Sequence, residues 1–158
     1  MKKLIILLLV FLWVVQVVGQ ESKGFIWQTE KGTIFLFAQG PLPENYANKL
    51  RITTGKNYRL EALMVSNKYS PQNFTLPANS MIQIVDKEGN IWQSMTDPKT
   101  KELPSAMREF ILERDTQIKS GQSRTFVFLF PTYTPKGDKW KSVYLFFGEE
   151  EYIELFKM

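Results

Sequence analysis

The residues best suited to recognition lie in one stretch, Pro131-Thr132-Tyr133-Thr134-Pro135-Lys136-Gly137-Asp138-Lys139-Trp140-Lys141. Two aromatic rings, Tyr133 and Trp140, are interleaved with Lys136, Lys139 and Lys141. Aromatic faces beside cationic heads can stack on a sugar or hold an acidic polymer. Loops on a rigid scaffold commonly carry binding function. Tyr133, Lys136, Lys139 and Trp140 are therefore the candidate binding residues. The same residues admit a structural reading. Trp is highly buried on average, so Trp140 would cap a core while the lysines keep the loop in water.

Catalytic candidates are fewer. The chain has no His and no Cys. That removes Ser-His-Asp and Cys-His nucleophilic machinery. It also removes zinc, copper and haem sites built on those ligands. No Gly-rich phosphate loop is present, so no cofactor is expected. Carboxylates remain, and a glycosidase needs two of them about 5 to 9.5 Å apart. Glu149-Glu150-Glu151 is the densest acidic cluster. Neighbours in a turn rarely converge on one substrate, so a solvated hairpin tip is the expectation. Asp86, Glu88 and Asn90 alternate as hard-cation ligands can, yet calcium takes about six to eight oxygens. With Gly89 between them they read as a hairpin turn. Asn73-Phe74-Thr75 is a glycosylation sequon and reads as loop chemistry. No catalytic and no metal-ligating residue is expected.

The elements that must position the loop follow a period of two. Phe25 to Gln28 and Thr33 to Phe37 flank Glu30-Lys31-Gly32 as a hairpin. Outward aromatics there would make an apolar patch of the kind that marks a partner. Gln39 to Asn48, punctuated by Gly40, Pro41 and Pro43, reads as a loop. Tyr58 to Ser66 is a strand with Tyr58, Leu60, Ala62 and Met64 on one face and Arg59 and Glu61 on the other. Ser80 to Asp86, with Ile82 and Ile84 inward, turns back into Ile91-Trp92-Gln93. The period then changes. Leu103, Met107, Phe110, Ile111 and Arg114 follow helical spacing with Pro104 near the start, which predicts one short helix, or alternatively a strand from Phe110 to Leu112. Arg124 to Phe130 puts Phe126, Phe128 and Phe130 on one face and Val127 and Leu129 on the other, as a central strand covered on both sides would. Ser142 to Phe147 and Tyr152 to Phe156 form a last hairpin. Eight or nine short strands with at most one helix predict an all-β, antiparallel sandwich.

The chain begins Met1-Lys2-Lys3, and Leu4 to Val18 is apolar except for Gln16. About 20 residues are needed to span a bilayer. The segment instead fits a secretory signal covering residues 1–20, with cleavage near Gly19 or Gln20. A membrane association is expected only if that segment is kept as an anchor. The protein is thus expected to be secreted or periplasmic, with residues 21–158 as one domain. The absence of Cys leans towards a bacterial source. The net charge is +4, and without Lys2 and Lys3 it is +2. So nearly balanced a surface implies no nucleic-acid partner.

Three stretches of turn and core chemistry stand out: Leu63-Met64-Val65-Ser66-Asn67, a strand ending in Asn; Ile84-Val85-Asp86-Lys87-Glu88-Gly89-Asn90, a strand and its turn; and Ile118-Lys119-Ser120-Gly121-Gln122 followed by Phe126 to Pro131, with Val143 to Phe147 and Tyr152 to Leu155 fitting the same pattern. On them the chain from Tyr58 to Phe156 resembles a family of exported bacterial immunoglobulin-like domains of unassigned function, similar to the secreted immunogenic β-sandwich antigen of mycobacteria. The resemblance implies an immunoglobulin-like sandwich and no site. The chain departs from the family in lacking a lipoprotein signal and a Ser/Gly-rich linker, and in its extra hairpin and helical segment. The expected function is a non-enzymatic binding module at the cell envelope, its partner a protein or an envelope polymer. The rivals are a carboxylate-dependent glycan hydrolase and a periplasmic structural or chaperone-like subunit that offers a strand edge.

Overall fold

The computed structural model describes residues 24–29, 32–39, 44–147 and 151–157, the first hairpin and the last two positions as backbone. Segment 1–20 and the pair Glu149 and Glu150 lie outside the described residues. Within them run β1 (Gly24–Thr29), β2 (Gly32–Gln39), α1 (Glu44–Thr54), β3 (Tyr58–Ser66), β4 (Phe74–Leu76), β5 (Met81–Asp86) and β6 (Ile91–Gln93). A 3-10 helix (Pro98–Glu102), α2 (Ser105–Arg108), β7 (Thr116–Ile118) and β8 (Ser123–Pro131) follow. A second 3-10 turn (Gly137–Lys139), β9 (Trp140–Phe147) and β10 (Glu151–Lys157) complete the order. The protein is mostly strands in antiparallel sheets with few helices. No helix among the described residues is long and apolar enough to cross a membrane.

One sheet has the order β1-β2-β3-β8, a second β10-β9-β5-β6, and β4 pairs with β7. The alternation of β3, β5, β8 and β9 explains their shared core. Leu63, Val65, Phe126, Phe128 and Phe130 from the first sheet meet Ile82, Ile84, Val143 and Leu145 from the second. Fully burying each such side chain contributes about 1.5–3 kcal/mol. The expected faces of β3 hold, and Leu63 and Val65 extend the Arg59 and Glu61 side into this core. Asn67, wholly buried at the end of β3, donates through Nδ2 to the carbonyls of Gln72 (2.8 Å) and Ile118 (2.9 Å), stitching the β4–β7 pair to the first sheet.

Three expectations need correction. Residues 39–48 are not all loop, because α1 starts at Glu44. Its anchors Tyr46, Leu50 and Thr54 recur every four residues, and Gly55 closes it at φ +72°. Secondly, more than one helix forms. The expected segment from Pro104 to Arg114 shrinks to Ser105–Arg108 behind a 3-10 helix, and no strand forms over Phe110 to Leu112. Thirdly, β8 is last in its sheet rather than central. Its Val127 and Leu129 face is buried by a second cluster, with Tyr46 and Leu50 of α1 and with Leu103. Its outer edge is met by Met95 N–H on the Leu129 carbonyl (2.8 Å) and by the Phe110 carbonyl on Val127 N–H (2.7 Å).

Candidate functional site

The predicted binding loop is tied down at both ends of its turn. Thr134 N–H donates to the Pro131 carbonyl (3.0 Å) and Lys139 N–H to the Lys136 carbonyl (2.9 Å). Trp140 is half-buried against the main core, and its Nε1 donates to the Pro135 carbonyl at 2.8 Å. The Arg59 guanidinium lies 5.4 Å from its ring centre and also donates to the Thr134 carbonyl (2.9 Å) and to Glu61 (2.6 Å). Burial pushes the Glu61 carboxyl up, and the Arg59 bond opposes that shift. The other three predicted residues stay outside. Tyr133 is 75% exposed, with its ring edge on Trp92 at 5.6 Å. Lys136 and Lys139 are exposed, and the Lys139 carbonyl accepts from Lys87 N–H at 3.0 Å. The structure thus brings Tyr133 and Lys139 to the β5–β6 hairpin, leaves Lys136 exposed at the start of the 3-10 turn, and turns the Trp140 ring inward.

The buried carboxylates serve the fold. Asp86 is 3% exposed and accepts from Asn90 N–H (2.8 Å), Asn90 Nδ2 (3.0 Å) and Trp92 Nε1 (2.9 Å). Burial alone would raise its pKa, but these donors outweigh it and the net shift is downward. The expected hairpin turn with Gly89 at φ +86° is therefore built on Asp86. Among the described residues no group of three or more acidic side chains could hold a metal ion.

Asp97 lines a cleft of about 680 Å³ that also takes in Ser80, Met95, Leu112 and Glu113. Two carboxylates on one cleft is the arrangement a glycosidase would require. The Asp97 oxygens, however, face donors of the chain itself. Oδ1 accepts from Lys99 N–H (2.9 Å), and Oδ2 accepts from the Tyr58 hydroxyl and from Lys56 Nζ (3.4 Å). The Tyr58 hydroxyl above all, then Lys99 N–H, hold the carboxyl below the usual range. Burial first, and then this bond, pushes the Tyr58 phenol up to about 12. A general acid needs the opposite shift. Asp97 caps the 3-10 helix and joins it to the end of α1 and the start of β3.

The feature that sequence reasoning missed is the outer face of β10-β9-β5-β6. Cross-strand register sets three rows there. Tyr152, Phe146 and Met81 form the first, and Glu154, Tyr144, Gln83 and Gln93 the second. Ser142, Val85 and Ile91 form the third, with the backbone of Lys157 next in register. The three aromatic rings touch one another, with centroids 5.4 Å (Phe146–Tyr152), 5.7 Å (Tyr144–Tyr152) and 6.5 Å (Tyr144–Phe146) apart. Gln93 Nε2 donates to Gln83 Oε1 at 3.1 Å. Tyr152 and Ile91 are each 61% exposed. The signal was present in the alternation, since Tyr144 and Phe146 alternate with the buried Val143 and Leu145, and Gln83 sits between Ile82 and Ile84. The aromatic patch considered for the first hairpin concerns side chains outside the described ones. No protein-family model matches this chain, and neither a curated protein nor a solved structure is similar to it.

Proposed function

We propose that this chain is an exported, non-enzymatic binding module: an immunoglobulin-like β-sandwich displayed at the cell envelope that recognises its partner through the outer face of β10-β9-β5-β6. The sandwich reading is supported by the one core shared between two four-stranded antiparallel sheets. Export is supported by the basic and apolar character of residues 1–20. The observation that carries the function is the aromatic cluster of exposed Tyr152 with half-buried Phe146 and Tyr144, on the sheet opposite the described helical layer. Aromatic side chains that stay at the surface in a cluster mark an interaction site more often than single exposed apolar residues do. A second reading keeps the loop. Tyr133 with Lys136, Lys139 and the neighbouring Lys87 suits an acidic envelope polymer.

The test is capture of an envelope component by the immobilised secreted protein, comparing wild type, Ile91→Ser with Tyr152→Ala, and Lys136→Ala with Lys139→Ala. Loss of capture in the first pair alone supports the sheet face. Loss in the lysine pair alone transfers the site to the loop. No capture by the wild type overturns the binding reading.

A further inference from the structure

The outer sheet face has a size, charge and pattern of hydrogen-bonding groups that select among occupants. Four strands about 4.8 Å apart, running about 20 Å, present a flat area on the order of 300–400 Å². A standard protein interface buries about 800 Å² on each partner. The face is too small for a stable second copy, and it matches the scale of single functional patches on monomers. Glu154 is the one charged side chain among those described in its three rows. The described side chains of these rows include no cation, in contrast to the lysine-bearing loop, so neutral ligands are the ones they suit. An extended peptide fits poorly as well. A sheet face offers side chains and no ladder of backbone donors, so the peptide's own N–H and C=O groups would lose water without replacement.

What the rows do offer is the ring surface of Tyr152 and Phe146 in one line and the polar groups of Glu154, Tyr144, Gln83 and Gln93 in the next. Tyr152 and Phe146, inclined 34° to each other, form the ring surface, and Tyr144 stands edge-on to Tyr152 at 80°. Glu154, Gln83 and Gln93 lie in register beside it and supply both donors and acceptors. A pyranose has that same division, with an apolar C–H face and a rim of hydroxyls. We propose that this face binds a neutral oligosaccharide laid across the strands, its ring faces on Tyr152 and Phe146 and its hydroxyls on Tyr144, Gln83, Gln93 and Glu154. The proposal rests on the reading of the chain as a binding module and names the ligand class of that same face.

The experiment is NMR titration and calorimetry of the secreted protein with cellohexaose, xylohexaose and chitohexaose, with polygalacturonate as the anionic control. Saturable binding of at least one neutral hexasaccharide is expected, with shifts confined to β5, β6, β9 and β10. Tyr152→Ala and Gln83→Ala should each weaken it about tenfold, the scale of one lost stacking or bonding contact. Tyr152→Trp should restore it, and Lys49→Ala, on the exposed side of α1, should leave it unchanged. Unaltered thermal unfolding of the exposed-site variants separates lost contact from lost fold. The proposal is overturned if no neutral hexasaccharide shifts these strands at millimolar concentration, if polygalacturonate binds in preference, or if Tyr152→Ala binds as the wild type does. A protein captured through the face without any sugar binding would overturn the oligosaccharide and leave the module reading standing. Absence of both would remove the two together.

Discussion

The outer faces of the two sheets have opposite fates. On β1-β2-β3-β8, the outward Val127 and Leu129 are 3% and 2% exposed beneath Tyr46, Leu50 and Leu103. On β10-β9-β5-β6, the outward Tyr152 and Ile91 are each 61% exposed. The side chains differ to match. The covered face packs Val127, Leu129 and Leu60 under the helical layer and ties Tyr58 to Asp97, whereas the other carries rings, amides and a carboxylate that can stay in water. Covering a face stabilises the fold and removes that face from recognition. The contrast teaches that the helical layer buries one face into the fold, while the other keeps Tyr152 and Ile91 in water.

The contrast breaks most sharply at Leu50, the 2% exposed anchor of α1. Leu50→Ala should cost about 2–5 kcal/mol in urea unfolding, because the cavity lies between a helix and a sheet. A cost under 1 kcal/mol would show that α1 contributes little to the covered face. Next comes Asp97, which joins α1, β3 and the 3-10 helix. Asp97→Ala leaves the Tyr58 hydroxyl and Lys99 N–H without their acceptor and should cost about 1–3 kcal/mol. Hydrogen exchange should then quicken over residues 44–54 and 98–108 while β5 and β9 stay protected.

The same joint makes the covered side pH-sensitive. Asp97 has a lowered folded pKa, so its contribution is present above its unfolded value and is lost as pH falls through the folded value, in the acid range below about 4. Tyr58 is raised from 10.0 to about 12, so its contribution is full below 10.0 and is lost as pH rises towards about 12. Unfolding midpoints across pH should show Asp97→Asn flattening the acid limb and Tyr58→Phe flattening the alkaline one, where Tyr46, also raised to about 12 by burial, keeps part of the slope. Unchanged limbs would dissolve the assigned joint. The smallest stability effect belongs to the bare face. Tyr152→Ala should shift stability by no more than about 0.5 kcal/mol while weakening binding about tenfold, and a large loss of stability would mean that the ring cluster is structural after all.

Much of the strand framework was legible because its physics is local. A strand with one buried face needs alternation, and β3 was readable to its exact ends from Tyr58 to Ser66. The hairpin at Asp86 to Asn90 was readable because a positive-φ Gly89 has a strong chemical signature. The helix α1 was obscured by Pro41 and Pro43 before it and by an anchoring stripe of just three residues, which carries little periodic signal. For the loop, composition admitted both a stacking and a capping Trp140, and its hydrogen bond to Pro135 with Arg59 over the ring places it with the fold.

By itself, then, the sequence determined the strand-rich antiparallel character, the turn positions and the absence of His and Cys chemistry, since each is written in residue type or in near-neighbour spacing. The tertiary structure alone decided which sheet received the helical layer, where Asp97 found Tyr58 39 positions away, and which strands brought Tyr152, Phe146, Tyr144 and Gln83 onto one face. Those choices depend on cross-strand register and on packing between distant segments, and neither quantity has a period along the chain.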